Sequence, residues 1–186
     1  MSEHFKPQSS DDVRDIIRAA QEDKQTLEII GAGSKRGWGR PIGAAGVMDL
    51  SGLSGISLYE PEELVLSAAA GTSMTDIHQA LAEHHQQLAF EPPDFSPLFG
   101  GEAGLGTLGG VIAANLSGPR RLQAGAARDH FLGFAAISGR GEEFKSGGRV
   151  VKNVTGFDLS KLLAGSFGTL AAMTTVTIKV LPAPEK

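Results

Sequence analysis

The chain has 186 residues, a formal net charge of −4, 41% hydrophobic residues and no cysteine. This length fits one domain or two small lobes that share a core. The negative charge argues against nucleic-acid binding through a basic face. The lack of cysteine excludes disulfides, thiolate metal sites and an iron–sulfur cluster bound by this chain. No apolar run reaches the about 18 residues of a membrane span, so we expect none.

The first half of the chain alternates helical and strand patterns. Ser9 and Ser10 precede a predicted amphipathic helix over residues 11–24, and the polar residues before it are expected to be disordered. Ser73 caps a second predicted helix over residues 74–87. Strands are predicted at residues 26–30, 46–51, 56–60 and 63–71. This order favours an α/β or α+β lobe.

The second half begins with an irregular segment rich in proline and glycine, residues 90–106. Loops of this length inside a compact domain are usually functional or disordered. Next come a predicted short helix at about residues 107–114 and a hairpin at 131–138 and 141–146. Asp158 caps a short helix that Gly165 closes. β-Branched residues predict a last strand over residues 169–182.

The stretch "IIGAGSKRGWGRPIG", residues 29–43, is a glycine-rich loop after a strand. A dinucleotide fingerprint would need glycine where Arg36 stands, and no G-K-[ST] triplet of a Walker loop occurs. Backbone N–H groups in such a loop can still receive an anion, with help from the Ser34 hydroxyl and the Lys35 and Arg36 charges. The alternative is a mobile surface loop with two solvated cations.

Two further clusters are rich in small residues. In "GTLGGVIAANLSG", residues 106–118, a short helix starts at Thr107, and helix N-termini bind anions through free N–H groups. The alternative is a small-residue helix packed closely against a neighbour. In "NVTGFDLSKLLAGSFGTL", residues 153–170, one turn enters a helix and another enters a strand. Taken singly, each is more often just a turn.

In this order and spacing, the three clusters resemble the FAD-binding domain of the vanillyl-alcohol oxidase / p-cresol methylhydroxylase (PCMH)-type flavoproteins. The family has a glycine-rich pyrophosphate loop, then T-[IL]-G-G-x-[IV]-A-x-N-x-x-G, R-D-x-[VL]-L-G and N-x-T-G-[YF]-D-[LM]-x-[KR]-L-x-x-G-S-x-G-T-L. The matching stretches here include "TLGGVIAANLSG" and "RDHFLG". The resemblance covers about residues 8–182. Within the family, "GAGSKRGWG" resembles in particular the FAD-binding subunit of bacterial glycolate oxidase.

The resemblance implies a two-lobed α+β fold with FAD between the lobes, lobe one at about residues 1–86 and lobe two at about 87–182. The loop at residues 31–38 would wrap the pyrophosphate, and the backbone near Ala172 would meet the cofactor. The flavin side and the ribityl chain would be lined by Pro92, Thr107, Gly109, Gly110, Asn115 and Gly118. The implied cofactor-binding residues are Gly31, Ala32, Gly33, Ser34, Lys35, Arg36, Gly37, Trp38, Pro92, Thr107, Gly109, Gly110, Asn115, Gly118 and Ala172.

The chain departs from the family pattern at a few positions. Covalent members carry a linking histidine in or near the first loop, which has none here, so we expect non-covalent FAD. Phe167 stands in place of the usual acidic residue, and His130 stands where asparagine is common. We expect His130 to be structural and the histidines at 78, 84 and 85 to lie on the surface. No metal site is expected.

The implied function is that of an FAD-binding subunit or fragment of a 2-hydroxy-acid (glycolate) oxidase or dehydrogenase, an FAD-dependent oxidoreductase. Electrons would pass to partner subunits, including an iron–sulfur subunit, and the protein would be cytoplasmic, with contact to the inner face of the membrane through partners. The C-terminal substrate or cap domain is expected to be absent, because Pro182 and Pro184 suggest a linker. The alternative is a non-catalytic FAD-fold assembly module. A Rossmann-type nicotinamide enzyme is disfavoured, because the third glycine is missing.

Overall fold

Helices pack against two main β-sheets in this computed structural model, which describes residues 3–148 and 156–185. The strands are β1 (Glu3–Phe5), β2 (Leu27–Ile30), β3 (Gly46–Asp49), β4 (Ile56–Glu60), β5 (Val65–Ala69), β6 (Gln86–Gln87), β7 (Phe131–Ser138), β8 (Glu143–Gly147), β9 (Ala171–Lys179) and β10 (Leu181–Pro182). The helices are α1 (Ser10–Glu22), α2 (Met74–Ala82), α3 (Leu108–Ala113), α4 (Arg121–Ala124), α5 (Ala127–His130) and α6 (Leu159–Leu163). The predicted α+β class is confirmed.

The N-terminal sheet is parallel, in the order β1-β3-β2, and α1 packs on it. Ser9 Oγ accepts the Asp12 N–H at 3.1 Å and Asp12 Oδ2 accepts the Ser9 N–H at 3.0 Å, a capping box that starts α1. The prediction of disorder before α1 is wrong for the described residues, 3–9. The backbone of β1 pairs with β3, His4 opposite Val47, and this pairing does not require apolar side chains.

The larger sheet has the order β4-β5-β9-β7-β8 within the described residues, and all its pairs are antiparallel. It confirms the predicted hairpin, as β7 and β8, and most of the predicted last strand, as β9. The sheet combines strands from both sides of residue 86, so the division into two lobes there stays a prediction.

The second helix is shorter than predicted. α2 ends at Ala82, and His85 has a left-handed φ of 53°, which a continuing helix does not allow. The next two residues form β6, paired with β10. The short helices α4 and α5 were not predicted, because four-residue helices give no periodic signal.

Two hydrophobic clusters form the core. The larger one lies under α2 and α3 and includes Leu66, Ile77, Leu108 and Val176, each fully buried. The smaller cluster contains Val13 of α1, Met48 of β3, and Ile137 and Ala172 of the larger sheet. It therefore joins the N-terminal sheet to the larger sheet and fixes the edge strand β2 beside the start of β9.

Candidate cofactor site

A cleft of about 330 Å³ lies between the edge strand β2, the loop that follows it, α3 and the start of β9. Most of the predicted site residues line it, although they come from distant parts of the chain. These are Gly31, Ala32, Gly33, Ser34, Lys35, Arg36, Trp38, Thr107, Gly109 and Gly110. Gly37, Pro92, Asn115, Gly118 and Ala172 do not line it.

The loop after β2 presents free backbone donors to this cleft. Its turn is closed by the Arg36 N–H, which donates to Gly33 O at 3.1 Å, with Gly33 at a left-handed φ of 71°. The N–H groups of residues 32–35 have no hydrogen-bond partner in the described part of the chain. A run of unpaired N–H groups in a concave turn is a receptor for an anion.

Lys35 brings a partly buried cation to the cleft. Its side chain is partly buried, and Nζ donates to Ser34 Oγ at 3.1 Å. It forms no ion pair with any residue that the structure describes. Burial lowers the pKa of Lys35, and the nearby Asp94 carboxylate opposes this effect only in part. A partly buried ammonium that no carboxylate pairs directly favours an anionic ligand.

Arg36 is not free. Its Nε donates to Glu28 Oε1 at 2.9 Å and its Nη2 to Glu28 Oε2 at 2.6 Å. This hydrogen-bonded carboxylate raises the pKa of Arg36. Arg36 therefore lines the cleft with its charge already neutralised. The alternative of a surface loop with two solvated cations does not describe this loop, because Lys35 is partly buried and Arg36 is paired.

On the opposite wall of the cleft, the N–H groups in the first turn of α3 already have hydrogen-bond partners. The N–H groups of Leu108 and Gly109 donate to Thr72 O at 2.9 Å and to Ala70 O at 2.7 Å. Thr107 Oγ1 accepts the Gly110 N–H at 3.2 Å. The prediction that this helix start binds an anion through free N–H groups is therefore wrong.

The two glycines of α3, Gly109 and Gly110, lie in different surroundings. A Cβ at Gly109 would lie 2.7 Å from Ala70 Cβ and 2.8 Å from Ala70 O, so the alternative of close helix packing is confirmed there. A Cβ at Gly110 would instead lie 3.4 Å from Lys35 Nζ, in the corner of the cleft. Gly31 allows the approach of Thr107, whose Oγ1 would overlap a Cβ at that position.

Pro92 lines a smaller pocket of about 110 Å³ that shares Ser34 and Lys35 with the cleft. The irregular segment around it is held by Asp94. Asp94 Oδ1 accepts the Ser96 hydroxyl at 2.6 Å, and Oδ2 accepts the Gly104 N–H at 2.7 Å. The Ser96 hydroxyl is the main reason why the pKa of Asp94 is lowered. Lys35 therefore lies where two cavities meet.

The other predicted residues have internal roles in the structure. Asn115 Oδ1 accepts the Arg128 N–H at 3.0 Å, and the Gly118 N–H donates to Phe90 O at 2.8 Å. Ala172 is 1% exposed in the core, although its neighbours Ala171 and Met173 line the cleft. A Cβ at Gly37 would lie 2.8 Å from the Phe99 ring.

Trp38 connects three loops at the mouth of the cleft. Its ring makes edge contacts with Phe95 at 5.4 Å and with Phe167 at 5.9 Å between centroids. Phe167 thus replaces the family's acidic residue with an aromatic contact, and its N–H donates to Ala113 O at 2.9 Å.

Sequence reasoning did not assign several cleft residues. The missed lining residues include Glu28, Arg40, Phe167, Thr169 and Met173. Glu28 could have been found from the sequence, because a carboxylate inside the short apolar strand "TLEII" needs a partner. Thr169 and Met173 could not have been found in this way, because their position at the cleft depends on how β9 is placed against β2.

The remaining polar side chains suggest no second centre. His130 is buried and its Nε2 donates to Ala124 O at 2.8 Å, in agreement with a structural role. His78, His84 and His85 are exposed, as expected. Within residues 3–148 and 156–185, no group of three acidic or histidine side chains could hold a metal ion. In the same ranges, no helix has the length and apolar character to cross a membrane.

The comparisons with known proteins show the class to which this fold belongs, an FAD-binding domain. Residues 3–147 match the FAD binding domain family, and the chain belongs to it. It is a PCMH-type domain, as the motifs predicted. It is 42% identical over 169 residues to glycolate oxidase subunit GlcE of Escherichia coli (strain K12), covering 91% of this chain and 46% of that protein. It is 30% identical to a D-lactate dehydrogenase of Anaerostipes hadrus, covering 95% of this chain and 36% of that one.

A solved structure shares the fold. An alkyldihydroxyacetonephosphate synthase superposes with a TM-score of 0.75 at 19% identity, covering 98% of this chain and 32% of that one. The chain spans less than half the length of these relatives. It is thus related to FAD-dependent oxidoreductases of 2-hydroxy acids through their FAD-binding part.

Proposed function

We propose that this chain binds FAD non-covalently in the cleft, as the FAD-binding subunit or part of a 2-hydroxy-acid oxidoreductase of the glycolate oxidase type. The observation that carries the proposal is the unpaired, partly buried Lys35 beside a run of free N–H groups, at the junction of two cavities. This is the place where a ligand with a central double anion would be held.

Two cavities that meet at Lys35 support an elongated ligand such as a dinucleotide. The cleft of about 330 Å³ falls within the usual range of ligand sites, about 300–1,000 Å³, and the smaller pocket extends it past Lys35. The FAD pyrophosphate carries about two negative charges, and buried anions need several donors. The free N–H groups of residues 32–35, the Ser34 hydroxyl and Lys35 supply them.

The two ends of FAD would then lie on opposite sides of Lys35, between the two proposed lobes. We place the adenosine end in the cleft, where Ile29, Leu50 and Met173 offer apolar surface. We place the ribityl chain along Thr107 and Gly110 and the flavin toward Pro92 and the smaller pocket. The backbone of β9 on either side of Ala172 would contact the adenosine end.

Non-covalent binding is proposed because the loop at residues 31–38 has no histidine, whereas covalent members of the family carry a linking histidine in or near this loop. His78 borders the smaller pocket and is the side chain to be tested. Acid or heat denaturation should release intact FAD into the supernatant. Flavin fluorescence that stays with the denatured chain and is lost in His78→Ala would contradict non-covalent binding.

The chemistry that FAD supplies in such a protein is the acceptance of a hydride equivalent, here from a 2-hydroxy acid. The names of the relatives, glycolate oxidase and D-lactate dehydrogenase, support this substrate class. We assign substrate binding to a further domain and electron acceptance to partner subunits, including an iron–sulfur subunit, because this chain has no cysteine. We propose a cytoplasmic location, with contact to the inner face of the membrane only through those partners.

The binding step can be tested with the single tryptophan of the chain, Trp38, which lines the cleft. Adding FAD to apoprotein should quench Trp38 emission with a saturable curve. FAD at 100 times its Kd should stabilise the fold by about 2.7 kcal/mol. Riboflavin, which lacks the pyrophosphate, is the matched control and should bind much more weakly. A colourless protein that FAD neither quenches nor stabilises would favour the alternative, a non-catalytic assembly module.

A further inference from the structure

We infer that Glu28 and Arg36 act as a positioning pair for the cofactor loop, with Arg36 directed to Glu28 rather than to the cofactor phosphates. The inference deepens the proposed function and rests on it. It assigns the two adjacent cations of "SKRG" different tasks. Lys35 faces the ligand, and Arg36 fixes the turn that presents the free N–H groups.

The pair connects strand β2 to the turn that follows it. Glu28 belongs to the edge strand β2, and its side chain is only 10% exposed, whereas that of Arg36 is 49% exposed. The guanidinium meets both carboxylate oxygens, at 2.9 and 2.6 Å. The Arg36 side chain also runs beside Gly33, where a Cβ would lie 3.4 Å from Arg36 Cδ. The turn from Gly33 to Arg36 is therefore held to β2 by a two-bond fork.

The pair also balances the charge of a carboxylate inside the proposed anion site. Glu28 lines the cleft that we assign to FAD, and among the described residues Arg36 is the cation that forms an ion pair with it. Without Arg36, a mostly buried carboxylate would be left unpaired beside the position of the pyrophosphate. Removing Arg36 should therefore weaken FAD binding through Glu28, and removing Glu28 as well should restore part of it.

This rescue distinguishes the inference from direct phosphate contact by Arg36. The experiment measures FAD Kd by Trp38 quenching for the wild type, Glu28→Gln, Arg36→Gln, Arg36→Lys and the double variant E28Q/R36Q. We expect Kd to rise at least about tenfold in Arg36→Gln, and to recover at least about threefold in the double variant. Arg36→Lys keeps the charge but not the fork, and should lose only about two- to threefold. If the double variant binds as weakly as Arg36→Gln, the inference is wrong.

A second measurement needs no cofactor. Trp38 lies two positions after Arg36 and is the only tryptophan, so acrylamide quenching of its emission reports the order of the loop in the apoprotein. Quenching should increase in Glu28→Gln, Arg36→Gln and the double variant, with Arg36→Lys close to the wild type. Unchanged quenching in Arg36→Gln would overturn the positioning role. If the wild type does not bind FAD, the proposed function fails, and this measurement still decides whether the pair orders the loop.

Discussion

Lys35 and Gly110 face each other across the corner of the cleft, where a Cβ on Gly110 would lie 3.4 Å from Lys35 Nζ. The loop after β2 supplies the cation, and α3 supplies the open space beside it. Because Gly110 has no side chain, Lys35 can lie against this wall and still leave room for a ligand. The two residues therefore set both the charge and the width of the site.

Lys35→Met should separate binding from stability. Loss of the ammonium should raise the FAD Kd at least about tenfold, since a charge-assisted contact is lost. The apoprotein should not lose thermal stability, because methionine is easier to bury than an unpaired ammonium. Trp38 quenching and thermal unfolding measure the two effects. Arg140→Met, on the exposed turn between β7 and β8, removes the same charge away from the cleft and should bind FAD as the wild type does. Equal affinities in the two variants would exclude Lys35 as a phosphate contact.

The lowered pKa of Lys35 predicts an alkaline pH dependence. FAD affinity should be constant at pH values below this pKa and should fall as pH rises through it, because the apoprotein then loses the ammonium. The stability of the apoprotein should change in the opposite sense. The burial penalty is fully present below the lowered pKa and is relieved between it and the ordinary value of 10.5, so stability rises there. Lys35→Met is the reference. The difference between wild type and Lys35→Met, in FAD affinity and in the free energy of unfolding of the apoprotein, should vary with pH in the directions given. A difference that stays flat with pH would show that Lys35 is solvated.

Gly110→Ala should mainly weaken FAD binding, whereas Gly109→Ala should mainly lower the stability of the fold. Alanine at 110 gains up to about 1 kcal/mol of helix propensity, offset by a tight 3.0 Å approach to Thr107 Oγ1, so stability should change little. Its methyl group enters the corner beside Lys35, and FAD affinity should fall at least about threefold. Alanine at 109 meets Ala70, including its backbone, and should destabilise the fold by about 1–3 kcal/mol. Urea unfolding and FAD titration of the pair test this assignment, and a stable Gly109→Ala would contradict the packing of α3.

Gly33→Val should abolish FAD retention and lower stability moderately. Gly33 has a φ of 71°, which a β-branched residue adopts at a cost of about 1–3 kcal/mol, so the turn must open. Gly43→Val is the matched control, because a Cβ there meets nothing within 4 Å and its φ is ordinary. Absorbance of the purified proteins in the flavin bands gives the result. A Gly33→Val protein that stays fully yellow would place the pyrophosphate elsewhere.

The fold elements that sequence predicts well are those with a local signal. The capping box at Ser9, the turn between β4 and β5, and the β-branched residues of β9 are visible within a few positions. β1 is invisible to this reasoning because its only support is the backbone of β3, far along the chain. Likewise the end of α2 depends on the pairing of β6 with β10.

The site divides in the same way. The motifs predicted Lys35, Thr107 and Gly110 for one site, and all three line the same cleft. They could not tell that the N–H groups of α3 are used by Thr72 and Ala70, because that depends on how a helix docks on a distant strand connection. The ion pair of Arg36 with Glu28 needs the strand edge and the loop to be folded together. The sequence therefore does not show with which residue each N–H group or charged side chain is paired.

The hydrogen bonds from Leu108 and Gly109 to the β5–α2 connection distinguish the two walls of the cleft, because the N–H groups at 32–35 on the opposite wall have no such bonds within the described residues. The amides at 108 and 109 should exchange slowly with solvent deuterium in the empty protein, since their release requires the helix to leave the sheet. The amides at 32–35 should exchange quickly until a ligand takes them up. One wall is therefore held by its own backbone hydrogen bonds, whereas the other keeps four N–H groups open to exchange on a turn that the Glu28–Arg36 pair holds to β2.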